Sequence, residues 1–239
     1  MVYLFTHDIP KRVNATILGF AAGVMIAASV WSLLIPSIEA AEATYGIWSW
    51  IPAAIGFLLG GLFLVLLDHL LPHFHIGTGH EEGPHVRVHK STRLFLAVTI
   101  HNIPEGLAIG VAFGSVYLGL DSVSLSSAAL LSIGIGLQNL PEGAAISIPL
   151  AATGMLKKKA FFIGAISAIV EPISAVIGTI LVLLVRNILP YMLLIAAAIM
   201  IYVVIDEIIP TSRKYHHKFT TIGFIVGFII MMILDLSFN

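Results

Sequence analysis

Two short stretches, HNIPEG at residues 101–106 and QNLPEG at residues 138–143, concentrate polar chemistry in a mostly apolar chain. On a helix, His101 and Glu105 are one turn apart and share a stripe, with Asn102 beside them; Gln138, Asn139 and Glu142 repeat that spacing. HNIPEGLAI and QNLPEGAAI agree at six of nine positions, so two helices are expected to turn related faces to one locus. Glu171, followed by Pro172, adds a third carboxylate from a later segment. The set is one imidazole, amide oxygens and three carboxylates, in a chain without cysteine. It suits borderline to hard divalent ions such as Zn²⁺, Fe²⁺, Mn²⁺ and Co²⁺, and disfavours Cu⁺. Neighbouring carboxylates repel, so an empty site is expected to hold protons and exchange them for metal. Two cations bridged by Glu105 and Glu142 are electrostatically sound.

Six of the thirteen acids, Asp68, Glu105, Glu142, Glu171, Asp206 and Glu207, fall within or at the edges of long apolar runs. An ionised carboxylate at mid-membrane depth costs about 2.5–3.5 kcal/mol, so the three central ones ask for about 7–10 kcal/mol of compensation. No lysine or arginine lies inside those runs, which leaves protons or a cation from solution. The prolines fit the same picture. Pro104 and Pro141 have no N–H to offer the carbonyls of Ile100 and Leu137, and in lipid a freed carbonyl is tolerated only where another group, water or an ion satisfies it.

The elements that must position these groups are membrane-spanning helices. The 239-residue chain is 58% hydrophobic and 10% charged, with a mean hydropathy of +1.01, far too apolar for an ordinary soluble domain. An all-α polytopic membrane protein is expected, one transporter domain over residues 1–239. Its seven spans are placed at about 14–38, 50–71, 92–117, 127–153, 160–185, 188–209 and 219–238. Glycines four apart (Gly19/Gly23, Gly56/Gly60, Gly106/Gly110, Gly223/Gly227) are expected to let helices approach closely. Eleven of the twelve Lys and Arg residues fall on alternate connections. This sets the N-terminus and the histidine-rich connection 72–91 on the cytoplasmic side and the C-terminus outside, in a cell membrane. A pI near 6.8 gives no sign of a nucleic-acid partner; lipid, divalent ions and a second copy of the chain are the partners considered.

The connection HFHIGTGHEEGPHVRVH carries five histidines, with Asp68 and His69 just before it. Asp206 and Glu207 end a later run. These residues read either as a cytoplasmic exit station for a metal ion or as a solvated linker and solvated helix ends. An intramembrane metal-dependent hydrolase would need a centre such as His-Glu-x-x-His, which is absent. A water pore would have no use for three buried carboxylates. A metal sensor without transport is the remaining rival. No enzyme activity and no prosthetic group are expected.

HNIPEG and QNLPEG on consecutive spans, the EP of the next, and LGFAAGVMIAAS at residues 18–29 together resemble the ZIP family of divalent-metal transporters, within it the GufA-like prokaryotic branch. The resemblance covers nearly the whole chain. It implies an eight-helix fold that moves zinc, and also iron, manganese, cobalt or cadmium, toward the cytoplasm, usually through a binuclear centre. By position, His101, Glu105, Gln138 and Glu142 correspond to the first metal site, and Asn102, Glu105, Asn139, Glu142 and Glu171 to the second. Asp68, Asp206 and Glu207, with loop histidines, correspond to the exit region. Asn139 stands where some members carry an acid and Gln138 where many carry histidine. Seven spans are visible against eight, so a first helix is expected to be missing from this chain or to lie upstream of its start.

Overall fold

The apolar runs form helices. The computed structural model of the protein describes residues 10–70, 73–74, 81–82, 90–119, 123–152, 154–184 and 189–238. In chain order the helices are α1 (Lys11–Ala28), α2 (Ile35–Tyr45), α3 (Trp50–Leu70), α4 (Lys90–Tyr117), α5 (Leu125–Ala152), α6 (Lys157–Ser167), α7 (Val170–Leu184), α8 (Leu189–Val203) and α9 (Ile209–Phe238). Among the described residues the fold is helical apart from a two-residue antiparallel pair, β1 (His73–Phe74) with β2 (Glu81–Glu82). The rest of the histidine-rich connection expected at 72–91 lies outside the described residues, except for Lys90 and Ser91, where α4 begins.

Among the described residues, three helical runs are interrupted just ahead of a proline. Wide π-helical turns at Ser29–Leu34 and Val204–Ile208 end just ahead of Pro36 and Pro210. Proline cannot bond the carbonyl four residues back, so the N–H before it reaches five back instead, Ile35 to Val30 and Ile209 to Val204. The single apolar run expected at 160–185 is likewise two helices, broken at Ala168–Ile169, four and three residues before Pro172. α9 has one non-helical residue, His216, at φ −171°.

Among the described residues, four stretches, Lys11–Glu42, Gly46–Leu66, Lys157–Leu184 and Pro190–Ser237, are long and apolar enough to cross a membrane. The last is 48 residues long, about twice what one crossing of a 30 Å hydrocarbon core needs. Their outer faces are apolar: Phe57, Leu58, Leu62 and Leu66 on α3 and Ile222, Ile225, Ile229 and Ile233 on α9 are exposed. The main core lies between α1, α5 and α8, around Met25, Leu33, Leu131, Ile135, Leu193 and Met200.

The glycine pairs make the closest contacts. Gly19 and Gly23 sit against the carbonyls of Thr220 and Phe224, and Gly223 and Gly227 against those of Thr16 and Phe20, leaving no room for a Cβ on either helix. Gly106 and Gly110 of α4 meet the carbonyls of Glu171 and Ala175, while Gly178 of α7 meets that of Leu107. Gly56 and Gly60 of α3 lie on Leu194 and Ile195 of α8. Residue numbers rise together along all three interfaces, so α1 runs parallel to α9, α3 to α8 and α4 to α7. Lys11 and Arg12 therefore start at the same end as the 213–218 basic group, where the Arg12 guanidinium stacks over the Phe219 ring at 5.6 Å.

Candidate metal centre

The parallel packing of α4 on α7 brings the first and third motifs together. Glu105 and Asn102 on α4 are 2% and 1% exposed, and Glu171 on α7 is 8% exposed. α5 supplies Asn139 and Glu142, both partly buried. Asn139 donates from Nδ2 to both carboxylate oxygens of Glu171, at 2.8 Å to Oε1 and 2.7 Å to Oε2. Glu142 follows Asn139 by three residues, just under one turn further along the same helix. Motifs from α4, α5 and α7 thus meet at one locus, with α4 continuous through Pro104 and α5 through Pro141. The side chains of His101 and Gln138 lie outside the described residues. Among the described residues no three His, Asp or Glu side chains are grouped closely enough to hold a metal ion.

Why Glu171 sits where it does follows from Pro172. With no N–H, Pro172 cannot bond the Ala168 carbonyl, and its ring disfavours helical continuation there. The Glu171 N–H bonds Ala168 O at 3.1 Å instead of reaching Ser167. The Ser167 carbonyl is thereby released, and Asn102 Nδ2 takes it at 3.1 Å. Glu171 ends up in the first turn of α7, where the helix dipole favours a negative charge. Both asparagines therefore spend their N–H groups on the α6–α7 break, and the Oδ1 atoms of both are buried without a hydrogen-bond partner among the described residues. Two amide oxygens held in this way are ready-made hard donors for a cation.

Pro172→Ala should restore the missing N–H, fuse α6 with α7 and return the Ser167 carbonyl to the Glu171 N–H, leaving Asn102 without its acceptor. Metal uptake by that variant is expected to fall about tenfold or more, the range seen when a group that orients a ligand is removed. Uptake at the wild-type rate would show that the break does not position Glu171.

The residues expected at the exit divide. Asp206 and Glu207 occupy the π-helical turn before α9, both partly buried. His69 is exposed and bonds its own helix, Nδ1 to the Val65 carbonyl at 2.8 Å. The side chain of Asp68 lies outside the described residues. Sequence reasoning missed a further buried acid. Asp235 of α9 is fully buried and accepts from Ser32 Oγ at 2.9 Å, on the other π-helical turn. It is the single charged residue after Lys218, and a lone acid in an apolar run was the available signal.

Fold and locus together define a class: a helical membrane protein that buries acid and amide side chains from three helices at one point. Residues 90–235 match the family described as ZIP Zinc transporter. The chain is 36% identical over 315 aligned residues to zinc transporter ZIP11 of Homo sapiens, with 99% of this chain and 92% of the human protein covered. It is 35% identical to zinc transporter GufA of Myxococcus xanthus, covering 98% and 91%. To zinc transporter ZIPB of Bordetella bronchiseptica it is 37% identical, covering 98% and 75%. The chain belongs to the ZIP zinc transporter family, whose named members are transporters rather than enzymes.

Proposed function

We propose that this protein carries divalent metal cations across a membrane, zinc foremost and iron, manganese, cobalt and cadmium as further cargo, toward the cytoplasm. His101, Glu105, Gln138 and Glu142 form the first subsite, and Asn102, Asn139 and Glu171 complete a second that shares Glu105 and Glu142. Metal arrives from outside, displaces protons from the carboxylates and leaves past Glu207, Asp206 and Asp68. The observation that carries this reading is that buried amides of α4 and α5 converge on the α6–α7 break, Asn102 on the Ser167 carbonyl and Asn139 on the Glu171 carboxylate. No Lys or Arg lies between Arg93 and Lys157 or between Lys159 and Arg186 to neutralise the carboxylates of these helices.

The transporter domain is the whole chain, residues 1–239, crossing the membrane seven times. Parallel pairing of α1 with α9, α3 with α8 and α4 with α7 supports this count, because alternate crossings give each of those pairs the same direction. The basic ends of α1 and α9 lie in the cytoplasm with the histidine-rich connection, and the end of α9 lies outside.

Reconstitution of the full chain into liposomes tests the proposal. With a fixed pH gradient and a panel of Zn²⁺, Cd²⁺, Co²⁺, Mn²⁺ and Fe²⁺, saturable accumulation is expected, strongest for Zn²⁺ or Cd²⁺, together with proton movement. Saturable binding without flux of any ion would overturn transport and leave a sensor.

A further inference from the structure

The contact between Asn139 and Glu171 has the geometry of an occupied ligand position. A divalent cation bound by both oxygens of a carboxylate sits in the fork between them, and at Glu171 that fork is filled by the Asn139 Nδ2, 2.8 and 2.7 Å from the two oxygens. A zinc ion there would stand about 2.0–2.2 Å from each oxygen, in the volume the amide nitrogen takes up. Resting on the site reading above, we infer that Asn139 is a latch on Glu171: its N–H₂ holds the second cation's place, and the second subsite opens only when the amide swings off the carboxylate.

The chemistry of the residue makes this possible. An acid at position 139 would repel Glu171 and leave both carboxylates open to metal. Asparagine presents a donor on one side and an acceptor on the other. In the observed arrangement the donor satisfies Glu171 while Oδ1 is buried without a partner. Rotation of the amide exchanges the two roles, withdrawing the donor from Glu171 and presenting Oδ1 to an ion that Glu171 can then hold. Occupancy is therefore sequential: the first ion takes the subsite around Glu105 and Glu142, and the second must displace a hydrogen bond to a charged group before it is held. Asn139 thus blocks the second subsite in one amide orientation and serves it in the other, and so sets metal stoichiometry.

The test is calorimetric titration of Zn²⁺ into the purified full-length protein in lipid nanodiscs. The wild type should bind one ion tightly and a second about tenfold or more weakly, the penalty of breaking a charge-assisted hydrogen bond. Asn139→Ala removes both the latch and the Oδ1 oxygen. If the latch governs, the gap between the two affinities narrows at least about threefold; if Asn139 is simply a ligand, the gap widens. An unchanged or wider gap, or two equal sites in the wild type, overturns the inference. Glu171→Gln serves as the second variant should the alanine protein not fold. It should abolish the weak site and leave the tight one within about threefold of wild type, and a loss of more than about tenfold at the tight site would also overturn the latch. Wild-type protein that binds no Zn²⁺ would sink the site reading itself, whereas normal binding with these variants inert sinks the latch alone.

Discussion

Membrane vesicles carrying Glu105→Ala should accumulate ⁶⁵Zn no faster than vesicles without the protein. Glu105 is almost wholly buried at 2% exposure, on the helix that also delivers Asn102, and in the proposed centre it is shared by both subsites. Its removal takes away one of the three charges that compensate a dehydrated divalent ion. Loss of an outer partner of a metal ligand already costs about 10–100-fold, so loss of a shared ligand should reduce uptake by about two orders of magnitude or more. The protein itself should tolerate the change, because a carboxylate buried among apolar helices is removed rather than created. Glu105→Gln keeps the shape and loses the charge, and it should fail nearly as completely. Glu42→Ala, at an exposed position near the end of α2, should transport normally. Uptake by the Glu105→Ala protein at wild-type rate would remove the centre from this locus.

Gly110→Leu is expected to abolish uptake by a different route. The Cβ of any residue at 110 meets the backbone carbonyl of Ala175 on α7, and neither backbone can move aside independently of its helix. Thr179 Oγ1 also donates to the Gly110 carbonyl at 3.0 Å across the same interface. Leucine there must push α7 away along its length, and with it Glu171 in its first turn. Overpacking of this kind costs about 1–3 kcal/mol even where side chains can adjust, and here only backbone is available. The melting temperature of the detergent-solubilised protein and its ⁶⁵Zn uptake should fall together. Gly61→Leu is the matched control, since a Cβ at 61 on α3 meets nothing, and both readouts should stay at wild-type values. A Gly110→Leu protein that melts and transports normally would contradict the α4–α7 contact.

Much of this was legible before any coordinates. The positions of the helices follow from apolar run length, and all four glycine pairs singled out by spacing lie at close helix contacts. The three carboxylate motifs group by their likeness and by the lack of basic residues nearby, and in the fold Asn139 of the second reaches Glu171 of the third. What sequence periodicity could not supply is where a helix stops being α. Hydropathy over a whole crossing averages about five helical turns, so it cannot see the break at Ala168–Ile169 or the two π-helical turns. The signal was present in Pro36, Pro172 and Pro210, each of which forbids one particular hydrogen bond. Pro104 and Pro141 were read that way and the others were not. The use of Asn102 on Ser167 and of Asn139 on Glu171 was beyond reach for another reason: spacing says that an amide faces a locus, but not which of its two ends does.

Parallel pairing of α1 with α9, α3 with α8 and α4 with α7 makes the fold nested, like brackets closed from the inside outward. The α4–α7 pair can form once residue 184 has emerged from the ribosome, but the glycine face of α1, made long before, finds its partner only when α9 arrives. During synthesis that bare face must be sheltered by lipid or by the insertion machinery. A chain released before residue 219 would own a complete inner layer and a permanently unpaired first helix, which marks it for quality control rather than for partial activity.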